Sequence, residues 1–155
     1  TNFPFANYCL WNSNALMSYM HHIPNLKFIY VDVEREVAES VFNLLNTDSS
    51  LRVFLMPDQT DFDRYISGSD AIIIRPLISE SPLQLVDGIN TPTIEKVMVD
   101  MVGDVEFSFV QGSEINYVYT TIFERHNVNK NKLLRYAARR GRKEEIEKLL
   151  NANKL

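Results

Sequence analysis

The segment DAIIIRPL (70–77) constrains this chain most, because consecutive isoleucines with no polar alternation cannot leave one strand face to water. Such a strand must be covered on both sides. KFIYVDVE (27–34) and RVFLM (52–56), rich in β-branched and aromatic residues, read as further strands. Between them REVAESVFNLLN (35–46) places Val37, Val41, Leu44 and Leu45 on one helical face, and DQTDFDRYIS begins a helix after Pro57. Strands separated by helices need crossover connections, so the expected fold is α/β with a mixed or largely parallel sheet and flanking helices. NYCLW (7–11) adds a strand. NALMSYMHH (14–22) reads as a helix capped by Asn12 or Ser13, and PLQLVDGI (82–89) as an extended piece ending at the turn signal Asp87-Gly88.

After Gly88 the pattern turns helical. TPTIEKVMVDMV (91–102) offers Thr91 as N-cap, Pro92 at the first helical position and an Ile94, Val97, Met98, Met101 stripe. VEFSFVQ reads as a short helix with two phenylalanines facing inward, and SEINYVYTTIFERHN (113–127) as an amphipathic helix. NKNKLLRYAARRGRKEEIEKLL (129–150) reads as two helices broken at Gly141. Without a Pro/Gly/Ser-rich linker, residues 1–155 are expected to form one domain, an α/β half (1–90) followed by a C-terminal helical bundle (91–155). The chain begins at Thr1 and enters a strand pattern almost at once, which suggests a C-terminal piece of a longer protein.

Composition supports a globular chain: 45% of the 155 residues are hydrophobic and 23% charged. No apolar run approaches the roughly 20 residues of a bilayer span and the first residues lack a signal-peptide pattern, so a cytoplasmic protein is expected. Cys9, the one cysteine, can form no internal disulfide and reads as core.

The search for chemistry returns little. The five glycines are scattered singly, which argues against a phosphate loop or a dinucleotide fingerprint. His21, His22 and His126 lack zinc-ligand spacing and read as helix-end residues. Asp32 and Glu34, on one strand face, could hold a cation but read more simply as solvated residues at a strand end. Trp11, Asn12 and Asn14 lie where strand passes to helix, and capping accounts for the asparagines. A metal-dependent nuclease would draw on Asp58, Asp87, Glu95 and Lys96. However, Glu95 and Lys96 are adjacent on an expected helix and point about 100° apart. No catalytic residue, metal ligand or cofactor is expected.

The one strong charge feature is RYAARRGRK (135–143). Although the net charge is −4, ten of the 16 Lys and Arg residues fall between Arg125 and Lys154. Arg135, Arg139, Arg140, Arg142 and Lys143 are therefore the expected contacts to nucleic acid or to an acidic partner. A solvated helix face complementing its own dipole is the competing account.

ISESPLQLVDGINTPTIEKVMVDMV and INYVYTTIFERHNVNKNKLLRYAARRGRKEEIEKLL together resemble the C-terminal domain of AbiEi-like antitoxins, of the type IV toxin–antitoxin systems in abortive infection. Thr91, Pro92, Glu95, Lys96 and Asp100 match its first helix motif in kind, and Leu134, Tyr136, Ala137 and Gly141 its closing helix pair, with Tyr136 one residue displaced. CLWNSNALMSYMHHIPNLKFIYVDVEREVAESVFNLL resembles the start of the same domain. The resemblance implies a non-enzymatic effector domain of an antitoxin and transcriptional autoregulator, with a nucleotidyltransferase-like toxin as functional partner. It also implies operator recognition mainly through an N-terminal winged-helix domain outside these residues. The alternative functions are an accessory DNA-binding module using the basic patch and a metal-dependent nuclease-like domain.

Overall fold

The computed structural model describes residues 6–66 and 68–155. The segment 1–5, read as leading into the first strand, and Ser67, read as a helix end, lie outside the described residues. The chain is α/β, with a four-stranded mixed sheet, a two-stranded hairpin and helices that predominate toward the C-terminus. It divides into two compact units that are discontinuous in sequence. One comprises residues 6–15 together with Asn25–Ser79 and Leu85–Thr91, and the other comprises Leu16–Pro24, Glu80–Gln84 and Pro92–Leu155.

In the first unit β1 (Tyr8–Asn12), β2 (Phe28–Val33), β3 (Arg52–Leu55) and β4 (Ala71–Pro76) form a sheet in the order β1-β2-β4-β3. β1 runs antiparallel to β2, while β4 pairs in parallel with β2 and β3. The central strand is the apolar run: Ala71 through Arg75 are all buried, each isoleucine contributing ~1.5–3 kcal/mol of transfer free energy. Val33, Val53, Ile72 and Ile74 face α2 (Arg35–Asp48) through Ala38 and Val41. On the opposite face Phe28 meets Phe62 edge-on at 6.0 Å and Trp11 lies 4.6 Å from Tyr30. Phe62 begins a π-helical turn (Phe62–Ile66) after the one-turn α3 (Gln59–Asp61), where a single helix is expected from sequence. Asp58 and Asp61 cap α3 reciprocally, so the local bonds that start this helix use both carboxylates. Cys9 is fully buried.

The hairpin corrects the expected helix start at Thr91. β5 (Leu83–Val86) and β6 (Ile89–Pro92) pair around Asp87 (φ +52°) and Gly88 (φ +78°), the two left-handed residues of a type I′ turn. Thr91 and Pro92 are therefore strand residues. The N-cap of α4 (Ile94–Gly103) is Thr93, whose Oγ accepts from the Lys96 amide and donates to the Pro82 carbonyl. Two threonines flank Pro92 with similar capping chemistry. Hairpin pairing decides between them, because it makes Thr91 and Pro92 strand residues and leaves Thr93 as the first residue able to cap α4.

The second unit contains α4, a 3₁₀ turn (Val105–Val110), α5 (Glu114–Arg125), α6 (Lys130–Arg139) and α7 (Lys143–Ala152). Of the two phenylalanines expected to face inward, Phe107 is buried and Phe109 half-buried. Gly141, at φ +69°, takes the left-handed position between α6 and α7. The helix expected over 14–22 is only α1 (Asn14–Met17), followed by i→i+3 bonds to Tyr19 and Met20. It stops because the amides of His21 and His22 are taken by the Glu114 carboxylate, which also bonds the His22 ring at 2.8 Å. These bonds outweigh burial and hold the Glu114 carboxyl below the ordinary carboxylate range. Among the described residues, no helix is long and apolar enough to cross a membrane.

Candidate anion-contact face

The face is built on α6, whose position depends on a buried polar network under it. Leu133, Tyr136 and Ala137 form the inward side of α6. Leu and Ala supply packing, but Tyr136 carries a hydroxyl that must be satisfied when buried. It donates to Asp100 Oδ1 at 2.8 Å. Asp100 also takes the Lys96 ammonium on Oδ2 and Arg140 Nη1 on Oδ1, each at 2.7 Å. Asp104, one turn on from Asp100, receives both Arg140 nitrogens and Arg142 Nη2 at 2.6 Å.

This network revises the expected roles of α4. Sequence places Glu95 and Lys96 on different sides of the helix, and every residue from Glu95 to Met101 is buried. Glu95 lies 3.8 Å from Lys132 Nζ. Burial and secondarily Asp100 push the phenols of Tyr119 and Tyr136 above their ordinary value. Burial opposes the charge of Arg140, but the Asp104 and Asp100 carboxylates outweigh it and raise its pKa. Gly103 leaves room for Arg142: a Cβ there would stand 3.0 Å from the guanidinium carbon.

The five basic residues of the expected patch therefore separate. Arg140 and Arg142, at 14% and 16% side-chain exposure, turn inward to the network. Lys143 lies 3.9 Å from Glu147 on α7. Arg139 is half-exposed, 3.6 Å from the exposed carboxylate of Glu80. Arg135 is exposed and makes no ion pair among the described residues. Together with Lys132, outside the expected set, Arg135 and Arg139 line a depression of about 190 Å³ that also includes Tyr136, Pro82 and Glu80. The spacing 132, 135, 139 (i, i+3, i+7) carried this signal in the sequence. Arg140 follows the spacing of Leu133, Tyr136 and Ala137 instead, which marks it as inward-facing.

The remaining candidates are held in local interactions. Asp58 caps α3, Asp87 forms the hairpin turn and the Lys96 ammonium is bonded to Asp100. Among the described residues no group of three His, Cys, Asp or Glu could hold a metal ion. Asp32, read from sequence as solvated, is fully buried in a bidentate pair with Arg75, its register partner on β4, at 2.8 and 3.1 Å. Glu34 accepts from Asn7 at 2.6 Å and Asn12 from the Asn14 amide at 2.9 Å. His126 bonds Tyr19 through its ring. The first unit also carries an open recess of about 370 Å³ lined by Trp11, Ile29, Val86 and Ile89, with Lys27 and Asp87.

Compared with known protein families, residues 1–155 match the family of unknown function DUF6577. The chain belongs to that family. No curated protein and no solved structure matches it. For this DUF6577 member, the α6 face presents the cations Lys132, Arg135 and Arg139 around one depression, a combination suited to contacting an anion.

Proposed function

We propose that the chain is a non-enzymatic effector domain of an AbiEi-like antitoxin and transcriptional autoregulator that counters a nucleotidyltransferase-like toxin. The observation that carries this reading is the meeting of its two motif segments. Lys96 and Asp100 of the first and Tyr136 of the second, 36 residues apart, bond within one buried cluster. Motif residues used this way define a scaffold, which fits a domain that acts by binding. The reading places operator recognition mainly in a winged-helix domain of the longer protein, and the action of both in the cytoplasm.

Growth of cells expressing a nucleotidyltransferase-like toxin tests the reading. Co-expression of the full-length protein should restore growth. Continued arrest with both proteins well expressed refutes it.

A further inference from the structure

We propose that the exposed stripe Lys132, Arg135 and Arg139 of α6 contacts the phosphate backbone of duplex nucleic acid. This deepens the antitoxin reading by locating a second, nucleic-acid contact on the effector domain itself. α6 carries Lys130, Lys132, Arg135 and Arg139 and no carboxylate. Its first turn holds two lysines, at the end of the helix where the dipole disfavours cations. Complementing the helix's own dipole therefore explains Arg139 but not Lys130, which lies over the Phe123 ring, or Lys132, which is 3.8 Å from the Glu95 carboxylate yet keeps a 45% exposed side chain on this face.

At 1.5 Å per residue, Lys132 to Arg139 spans about 10.5 Å along the axis, so the three cations line one edge of the helix over about two turns. Arg135 and Arg139 supply planar guanidinium forks suited to phosphate oxygens. Arg140 and Arg142 are saturated by Asp100 and Asp104 and add nothing to the face. Glu80 sits 3.6 Å from Arg139 while 77% exposed, a carboxylate that an incoming phosphate can displace. A protein partner fits less well, because interface cores are built on exposed aromatic or aliphatic groups. Among the described residues no large hydrophobic side chain of α6 is exposed.

The test is fluorescence anisotropy of the full chain with a labelled duplex of about two helical turns, at salt from about 50 to about 200 mM. Three neutralised phosphates predict a log–log slope near −2.7, or about 40-fold weaker binding over that range. Arg135→Ala should reduce the loss to about 12-fold, and Lys132→Ala/Arg135→Ala/Arg139→Ala should abolish salt-dependent binding. Glu80→Gln should tighten binding. Lys148→Ala, which alters only an exposed pair with Glu144 on α7, should leave binding unchanged. Absence of duplex binding at about 50 mM salt overturns the proposal, as does equal weakening by Arg135→Ala and Lys148→Ala. Poly-glutamate binding as tightly as the duplex overturns it in favour of an acidic protein. Because toxin rescue is scored separately, an Arg135→Ala protein that still rescues growth but binds duplex normally rejects the stripe without touching the antitoxin reading.

Discussion

Replacing Asp100 by leucine removes the carboxylate that three groups share. Lys96, at 1% side-chain exposure, loses the oxygen 2.7 Å from its ammonium, Tyr136 loses its acceptor, and Arg140 retains Asp104. Breaking a buried pair from one side costs about 3–5 kcal/mol, because the remaining charge loses a counter-charge while staying buried. Against a total stability of roughly 5–15 kcal/mol this is a large fraction. At about 2–4 °C per kcal/mol for a chain of this size, the melting temperature should fall by about 10 °C. The assay is urea unfolding followed by far-UV circular dichroism, with the midpoint falling and the slope unchanged. Lys96→Met/Asp100→Leu removes both charges and should recover part of the loss, giving a coupling of about 0.5–3 kcal/mol. A loss under about 1 kcal/mol for Asp100→Leu, or strict additivity of the two single substitutions, would refute the assignment of Asp100 as the keystone of the cluster.

Thr93→Ala should cost about 1 kcal/mol by removing the α4 cap, whereas Thr91→Val, a strand residue, should cost less than half of that; equal costs in parallel urea melts would restore Thr91 as the cap. Alkaline titration gives another readout. Burial raises the folded-state values of Tyr119 and Tyr136 above the ordinary 10.0, so the unfolded chain ionises first. Their contribution is intact below pH 10.0 and is lost as pH rises above it. Tyr119 and Tyr136 should then ionise only with unfolding, as followed by tyrosinate absorbance alongside circular dichroism; ionisation of both on the still-folded protein would contradict the burial of these phenols.

The α/β class was legible because apolar runs and helical stripes report burial directly, as at Ile72–Ile74 and Val37–Val41. The hairpin was only half legible. Asp87-Gly88 marks the turn, but INTP (89–92) lacks the apolar alternation of a strand, and its pairing with β5 arises from the turn geometry. The network around Asp100 was least legible. Lys96 and Asp100 stand four apart and could be paired on paper, yet nothing local says that such a pair is buried, because the groups that enclose it, Tyr136 and Arg140, arrive from 36 and 40 residues away. The same remoteness dissolved the basic patch. Charge counting treats Arg139 and Arg140 as equivalent neighbours, whereas a 100° turn of helix sends one toward solvent and the other to Asp104.

The short segment around Tyr19 to His22 has a temporal consequence. Its partners are Glu114, Arg125 and His126, 92 to 107 residues later in the chain. During synthesis the ribosome delivers this segment long before anything that can satisfy it, while the sheet around β4 has all its strands once residue 76 has emerged. Closing a loop of that length lies late on the folding path. Until α5 leaves the exit tunnel, the segment lacks the Glu114 carboxylate and Arg125 guanidinium that hold its backbone.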